Sequence, residues 1–214
     1  MAPAARVFAV VPAAGHSRRM GRPKLLLSLC GEPVISRLLK VLRQPPVEDV
    51  VVVVRRSDAE LAAAVAVAGG TVVSSDSDPP DMRSSVAAGL AEIEFRWSPS
   101  DDDVWLLVPA DHPLLEPAVL PELLTAWNAL RPDILLPTFR GERGHPALFR
   151  WSLVTHINIL PPDRGLNALR DLPGIRVVEH EVTCPGVTMD LDTPDDWERL
   201  KRIADDENED FESN

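Results

Sequence analysis

The chain has 214 residues, 45% hydrophobic and 26% charged, with 22 Lys+Arg against 33 Asp+Glu and a formal net charge of −11. Those figures fit one globular domain able to bury a core and argue against a nucleic-acid-coating protein, which needs a basic face. No apolar run approaches bilayer length, and Cys30 and Cys184 lie too far apart for a disulfide framework or a zinc-binding spacing.

The opening, Met1-Ala-Pro-Ala-Ala-Arg6, lacks the basic-then-apolar layout of a secretory signal, so a reducing, cytoplasmic setting is the expectation. Val7–Val11 is an apolar run closed by Pro12 and small residues, and reads as a first strand. A basic loop to Lys24 follows, then a helix over Val34–Leu42 with Leu38, Leu39 and Leu42 on one face. Five consecutive valines, Val50–Val54, suit a parallel strand buried on both faces. A helix over Asp58–Ala68 leads to a strand at Thr71–Val73 and a Pro-containing loop, Ser74–Pro80. The alternation continues with a helix at Ser84–Phe95, an acidic surface loop at Ser98–Asp103 and a strand at Val104–Val108. A helix at Ala118–Leu130 and a strand at Ile134–Leu136 follow. Gly141, Gly144 and Pro146 then read as a hairpin or small sheet extension ahead of Ala147-Leu148-Phe149. Thr193-Pro194-Asp195-Asp196 has the form of a helix start, with Thr193 as N-cap.

This β–α–β–α order implies a mostly parallel sheet with helices on both faces, whose ligands bind beyond the carboxyl ends of the strands. No internal repeat is evident. Residues 1–204 read as a single domain and 205–214 as an acidic, disordered tail, carrying Asp205, Asp206, Glu207, Glu209, Asp210 and Glu212 with no basic residue. By contrast, residues 1–31 contain no Asp or Glu, while Arg6, Arg18, Arg19, Arg22 and Lys24 all lie there.

That acid-free segment contains Ala13-Ala14-Gly15-His16-Ser17-Arg18-Arg19-Met20-Gly21-Arg22-Pro23-Lys24. Small residues let the backbone approach a ligand, and successive backbone N–H groups in such a turn form an anion-binding concavity. Arg19 and Lys24 would add positive charge where a triphosphate lies. The loop is neither a Walker A motif nor G-x-G-x-x-G, and taken alone it also fits a surface turn with solvated arginines. Further on, Pro109-Ala110-Asp111-His112-Pro113 puts an acid at the tip of a strand, and Asp190-Leu191-Asp192-Thr193-Pro194 puts two more before a helix. Magnesium takes one or two carboxylates plus phosphate oxygens and waters. Asp111 and Asp190 are the expected pair; Asp192 also fits a simple helix start.

Together these segments resemble the MobA-like NTP transferases, and most closely their molybdenum cofactor cytidylyltransferase branch. The resemblance rests on Ala13 through Lys24, on Met82-Arg83-Ser84-Ser85, on Pro109–Pro113, on Gly144-His145-Pro146 and on Asp190–Asp196, in the family's order. It implies a Rossmann-like three-layer α/β/α fold of the nucleotide-diphospho-sugar transferase kind. It further implies Mg²⁺-dependent transfer of a nucleotidyl group to a phosphorylated acceptor such as molybdopterin, with release of pyrophosphate, and a molybdoenzyme as a downstream partner. On the same resemblance, Ala13, Ala14, Gly15, Ser17, Arg19, Gly21 and Lys24 hold the nucleotide's phosphates, with Arg19, Lys24 and Asp111 catalytic. Met82, Ser84, Ser85 and Gly89 belong with the nucleotide, Asp111 and Asp190 with the metal, and Gly144, His145, Pro146 and Asp192 with the acceptor.

Ala-Ala-Gly, where guanylyl-transferring relatives carry Gly-Gly, favours CTP over GTP, although one methyl discriminates by only about 1–3 kcal/mol. GTP therefore stands as the alternative nucleotide, and because Pro162–Asn167 matches the branch's acceptor element only in part, another phosphorylated small molecule stands as the alternative acceptor. A protein that binds and delivers a finished dinucleotide cofactor without turnover would use the same residues. Neither cysteine has a catalytic partner, and both read as packing residues.

Overall fold

The computed structural model describes residues 5–74, 79–161 and 164–212. Ten strands occur among them: β1 (Val7–Pro12), β2 (Ser28–Leu29), β3 (Glu32–Pro33), β4 (Val47–Val54), β5 (Thr71–Ser74), β6 (Val104–Leu107), β7 (Ile134–Phe139), β8 (Glu142–Arg143), β9 (Ala147–Arg150) and β10 (Val177–Glu181). The α-helices are α1 (Val34–Leu42), α2 (Ala59–Val67), α3 (Met82–Trp97), α4 (Val119–Leu130), α5 (Val154–Ile159) and α6 (Pro194–Glu212). The main sheet has eight strands in the order β10-β7-β9-β6-β1-β4-β5, with β8 paired to β7. β1 runs parallel to both β4 and β6, β4 is parallel to β5, and β10 is parallel to β7.

Alternation along the strands divides the core into two layers. Ala9 and Val11 of β1 and Val50 and Val52 of β4 pack with Ile35 of α1, Leu61 of α2, Leu123 of α4 and Leu200 of α6. Phe8 and Val10 face the opposite way with Val51, against Val86, Leu90 and Ile93 of α3 and Ile157 of α5. The all-apolar stretch of β4 is therefore needed, because both of its faces are covered. The result is the three-layer arrangement expected from the sequence, and every expected strand and helix from Val7 to Leu136 is present.

Three features differ from the sequence reading. The segment around Gly141–Phe149 is more than a peripheral extension: β9 inserts antiparallel between β6 and β7, pairing Leu106 and Leu135 with Leu148. Period-2 patterning cannot reveal this, since a strand buried in a sheet looks alike in either direction. Short α5 and strand β10, with the mixed run Val177-Val-Glu-His-Glu181, carry too little periodicity to be read. Finally, α6 continues to Glu212, through the segment expected to be a disordered tail. A well-capped helix adds one hydrogen bond per residue once started, so propagation extends into the acidic run. The expected loop Ser74–Pro80 and the partial match at Pro162–Asn167 lie partly outside the described residues. Among those described, no helix is long and apolar enough to cross a membrane.

Candidate active site

The loop after β1 begins on the sheet and returns to the core. The Ala13 N–H donates to the Val53 carbonyl at 2.8 Å, prolonging the β1–β4 ladder by one step. Met20, only 5% exposed, and Leu25 then anchor the far side of the loop. Between these anchors a tight turn is closed by the N–H groups of Met20 and Gly21 donating to the Ser17 carbonyl at 3.1 and 3.0 Å. Gly21 has φ +70°, which suits glycine, and Ser17 adopts φ +48°. The apolar anchors fix the turn while Gly15, His16, Arg18 and Arg19 remain exposed.

A cavity of about 260 Å³ opens beside this loop. Its walls include Ala13, Ala14, Gly15, Ser17 and Lys24 from the loop, Met82 and Ser85 from α3, and Asp111 from the tip of β6. Asp81 starts α3 by accepting from the Ser84 N–H at 2.7 Å, which turns the first residues of the helix toward the cavity. The structure thus brings together three stretches of sequence that the motif reading holds to act together.

Charge gathers at the mouth of that cavity. The Lys24 ammonium donates to Asp111 Oδ2 at 2.6 Å and to Asp192 Oδ1 at 2.8 Å. Arg19 reaches Asp192 Oδ2 at 2.7 Å. His112, buried behind the strand tip, donates through Nδ1 to Asp111 Oδ1 at 3.3 Å. Burial by itself would raise the Asp111 pKa, but the His112 hydrogen bond and the Lys24 charge outweigh it and hold the carboxyl well below the usual carboxylate range. Burial would likewise lower Lys24, yet Asp111 and Asp192 turn the net shift upward. Both partners are charged at neutral pH.

Asp192 is aimed by the helix that follows it. Asp196 Oδ2 accepts from the N–H groups of Asp192 and Thr193 at 3.2 and 2.9 Å, and Thr193 Oγ1 accepts from the Asp196 N–H at 3.2 Å. This reciprocal cap confirms the expected helix start. Leu191, fully buried, donates its N–H to the Asp111 carbonyl at 2.9 Å and ties the two acidic segments together.

Other residues singled out in the sequence lie outside this cluster. Asp190 is exposed, and the acid that meets Lys24 and Asp111 is Asp192. The spacing could not choose between them, because the two flank the same buried leucine. Gly89 lies in the core, where an added Cβ would stand 2.7 Å from Val10 Cγ1; it lets α3 approach the sheet closely. Gly144 packs against the Val187 backbone, and Pro146 is buried. His145 stands edge-on to His112, ring centroids 5.2 Å apart, and its Nδ1–H donates to the Leu107 carbonyl at 3.2 Å. Burial, with His112 beside it, pushes its pKa down to about 4, so the ring is neutral. The Gly144–Pro146 element therefore packs behind the Asp111 loop, outside the lining of this cavity.

Most of the sequence's basic patch proves to be paired. Arg6 grips Asp103 at 2.8 Å beyond the amino end of β6, away from the loop. The Arg22 guanidinium lies 5.9 Å from the Trp197 ring centroid. Arg83 donates to the carbonyls of Leu160, Pro161 and Arg164 at 3.1, 2.8 and 3.3 Å. Cys184 is buried as expected, with burial pushing its thiol up to about 11, whereas Cys30 is exposed at a turn and does not serve packing. One residue escaped the sequence reading. Arg55, just past β4, holds His16 Nδ1 at 2.8 Å and Asp58 Oδ2 at 3.0 Å, so it braces the loop after β1 from below. Its only signal is a charge directly after the valine run.

The arrangement offers a cavity of about 260 Å³, cations near it and a pair of carboxylates, which suits positioning and neutralising phosphates. The sequence matches the MobA-like NTP transferase domain over residues 9–180. No curated protein sequence matches it significantly. Among solved structures, Rv0371c from Mycobacterium tuberculosis H37Rv superposes with a TM-score of 0.78 at 27% identity, covering 94% of this chain and 99% of that one. The same mycobacterial protein, solved in complex with manganese, gives 0.72 at 27% identity over 92% and 98%. A molybdopterin-guanine dinucleotide biosynthesis protein A from Archaeoglobus fulgidus gives 0.69 at 20% identity over 93% and 99%, a likeness of fold.

Proposed function

The chain belongs to the MobA-like NTP transferase domain family, and from that premise we propose that it transfers CMP from CTP to a phosphorylated small acceptor such as molybdopterin. The observation that carries this reading is the convergence of Asp111 and Asp192 on Lys24 at the edge of the loop-and-α3 cavity.

The chemistry needs little covalent help. An anionic oxygen of the acceptor's phosphate attacks the α-phosphorus of CTP; the new P–O bond forms as the bond to pyrophosphate breaks, and pyrophosphate leaves with its electron pair. No proton has to be removed from the nucleophile, so no general base is required, and the neutral, turned-away His145 is consistent with that. The loop from Ala13 to Ser17 positions the nucleotide, while Lys24 and Arg19 offset the charge that builds on the leaving phosphates.

A divalent metal fits the acids present. Two carboxylate oxygens already converge on one cation, the Lys24 ammonium, at 2.6 and 2.8 Å, and all-oxygen donors suit magnesium or manganese. Asp111 and Asp192 would hold the ion, with phosphate oxygens and water completing its shell. Once bound, such an ion supplies Lewis-acid polarisation of the phosphoryl oxygens. The manganese complex of the 27%-identical mycobacterial protein supports a divalent ion in this fold.

The preference for CTP rests on Ala13 and Ala14, both among the residues that line the cavity, whose methyls take up room that glycines would leave. The test is pyrophosphate release from each of the four NTPs with Mg²⁺ or Mn²⁺, offered molybdopterin and other phosphorylated acceptors. Release from CTP with molybdopterin is the expected result. Release from GTP alone would reverse the base assignment.

A further inference from the structure

In the structure all four oxygens of the two site carboxylates are occupied. Asp111 Oδ1 accepts from His112 and Oδ2 from Lys24; Asp192 Oδ1 accepts from Lys24 and Oδ2 from Arg19. Lys24 alone bridges both acids, and its side chain is only 13% exposed. It also borders the cavities on either side of the phosphate loop, so a rotation of its long, flexible stem can carry the ammonium into nucleotide space.

We propose that Lys24 is a built-in occupant of the metal position: its ammonium joins Asp111 and Asp192 in the free protein and must leave their oxygens before the two acids can hold a divalent cation, a move that the nucleotide's phosphates favour. This rests on the reading of those acids as the metal ligands. A dication and an ammonium sharing the same two oxygens would repel strongly in a half-buried site. The triphosphate offers the ammonium an equally anionic partner, so nucleotide and metal binding are coupled through one side chain. The device keeps the acids paired and the loop closed on them in the free protein, and it makes nucleotide uptake favour metal uptake. Arg19 does not share this role, since it touches only Asp192.

The test is Mn²⁺ binding to nucleotide-free protein, read from the loss of the free-ion electron paramagnetic resonance signal. Lys24→Met should bind Mn²⁺ about tenfold more tightly than the wild type, because the competing charge is gone. Lys24→Arg should stay as weak as the wild type. Affinity in Lys24→Met equal to or below the wild type's overturns the proposal, as does an equal gain in Lys24→Arg. Should Lys24→Met not fold, the wild type decides: saturating Mn²⁺ should speed acetylation of Lys24 by acetic anhydride, followed by mass spectrometry, and an unchanged rate overturns the proposal. Adding Asp111→Asn to Lys24→Met separates the two readings. Loss of Mn²⁺ binding there upholds the acids as ligands whatever Lys24 does; retained binding removes the metal assignment itself.

Discussion

Lys24 and Asp192 are separated by 168 positions in the chain and by 2.8 Å in space. The contact closes the ring between the loop after β1 and the segment preceding α6, and it involves Asp192 where the sequence reading favours Asp190 as the partner of Asp111.

That pairing is directly testable. Asp192→Asn should lower CMP transfer on the order of 100-fold, the scale expected when a group holding a metal is lost. Asp190→Asn, two residues away and exposed, should stay within a few-fold of the wild type. Pyrophosphate release under identical metal and CTP concentrations compares them, and the reverse ranking would return the role to Asp190.

Arg55 should act through the loop without touching the reacting atoms. Its guanidinium stands 2.8 Å from His16 Nδ1 and ties the exposed part of the loop to the end of β4. Arg55→Ala removes the brace, and the expected outcome is a rise in KM for CTP of about tenfold with kcat changed much less, since nucleotide positioning is what suffers. Steady-state kinetics separate the two parameters; a selective loss of kcat would contradict a bracing role.

Gly89→Ala should destabilise the fold by about 1–3 kcal/mol, the usual cost of overpacking a filled core. The new methyl meets Val10 Cγ1 at 2.7 Å, with Val53 Cγ2 at 3.2 Å. Adding Val10→Ala makes room and should recover part of the lost melting temperature relative to the Val10→Ala single variant. Were Gly89 instead a nucleotide contact, the first variant would keep its stability and lose CTP affinity.

Arg6 and Asp103 give a pH-dependent test remote from the site. Burial would raise the Asp103 pKa, but hydrogen bonds from Arg6 and from the Ser100 N–H bring it below its ordinary 3.8. A carboxyl lowered by folding contributes stability that is fully present above its unfolded pKa and lost as pH falls through the folded value. Arg6→Ala should therefore lower stability by about 1–3 kcal/mol at pH 7, with the gap to the wild type narrowing below about pH 4. Thermal unfolding from pH 7 to pH 2 follows it, and CTP affinity at pH 7 should not change. A gap that persists undiminished at pH 2 would mean that the pair is not its source.

Much of the architecture was legible because local patterns carry it. The valines of β4 announce a doubly covered strand, and Thr193-Pro194 with Asp196 announces a capped helix before any contact is known. The small residues and cations from Ala13 to Lys24 mark a loop that the structure folds beside a cavity. What could not be read depends on partners far along the chain. β9 looks the same whether it extends the sheet or divides β6 from β7, and Gly89 and His145 suit a ligand as well as they suit a core.

The sequence by itself determined the family, the layered fold and the set of residues from which a site could be drawn, because short-range periodicity and ordered motifs are properties of neighbouring positions. Only the tertiary structure decided which of those residues meet. It drew Arg6 away to Asp103, turned His145 behind the site, and set Asp192 against Lys24. The physical reason is that charge pairing acts through space over a few ångströms. The basic character of residues 1–31, conspicuous along the chain, is largely balanced once distant carboxylates are folded against it.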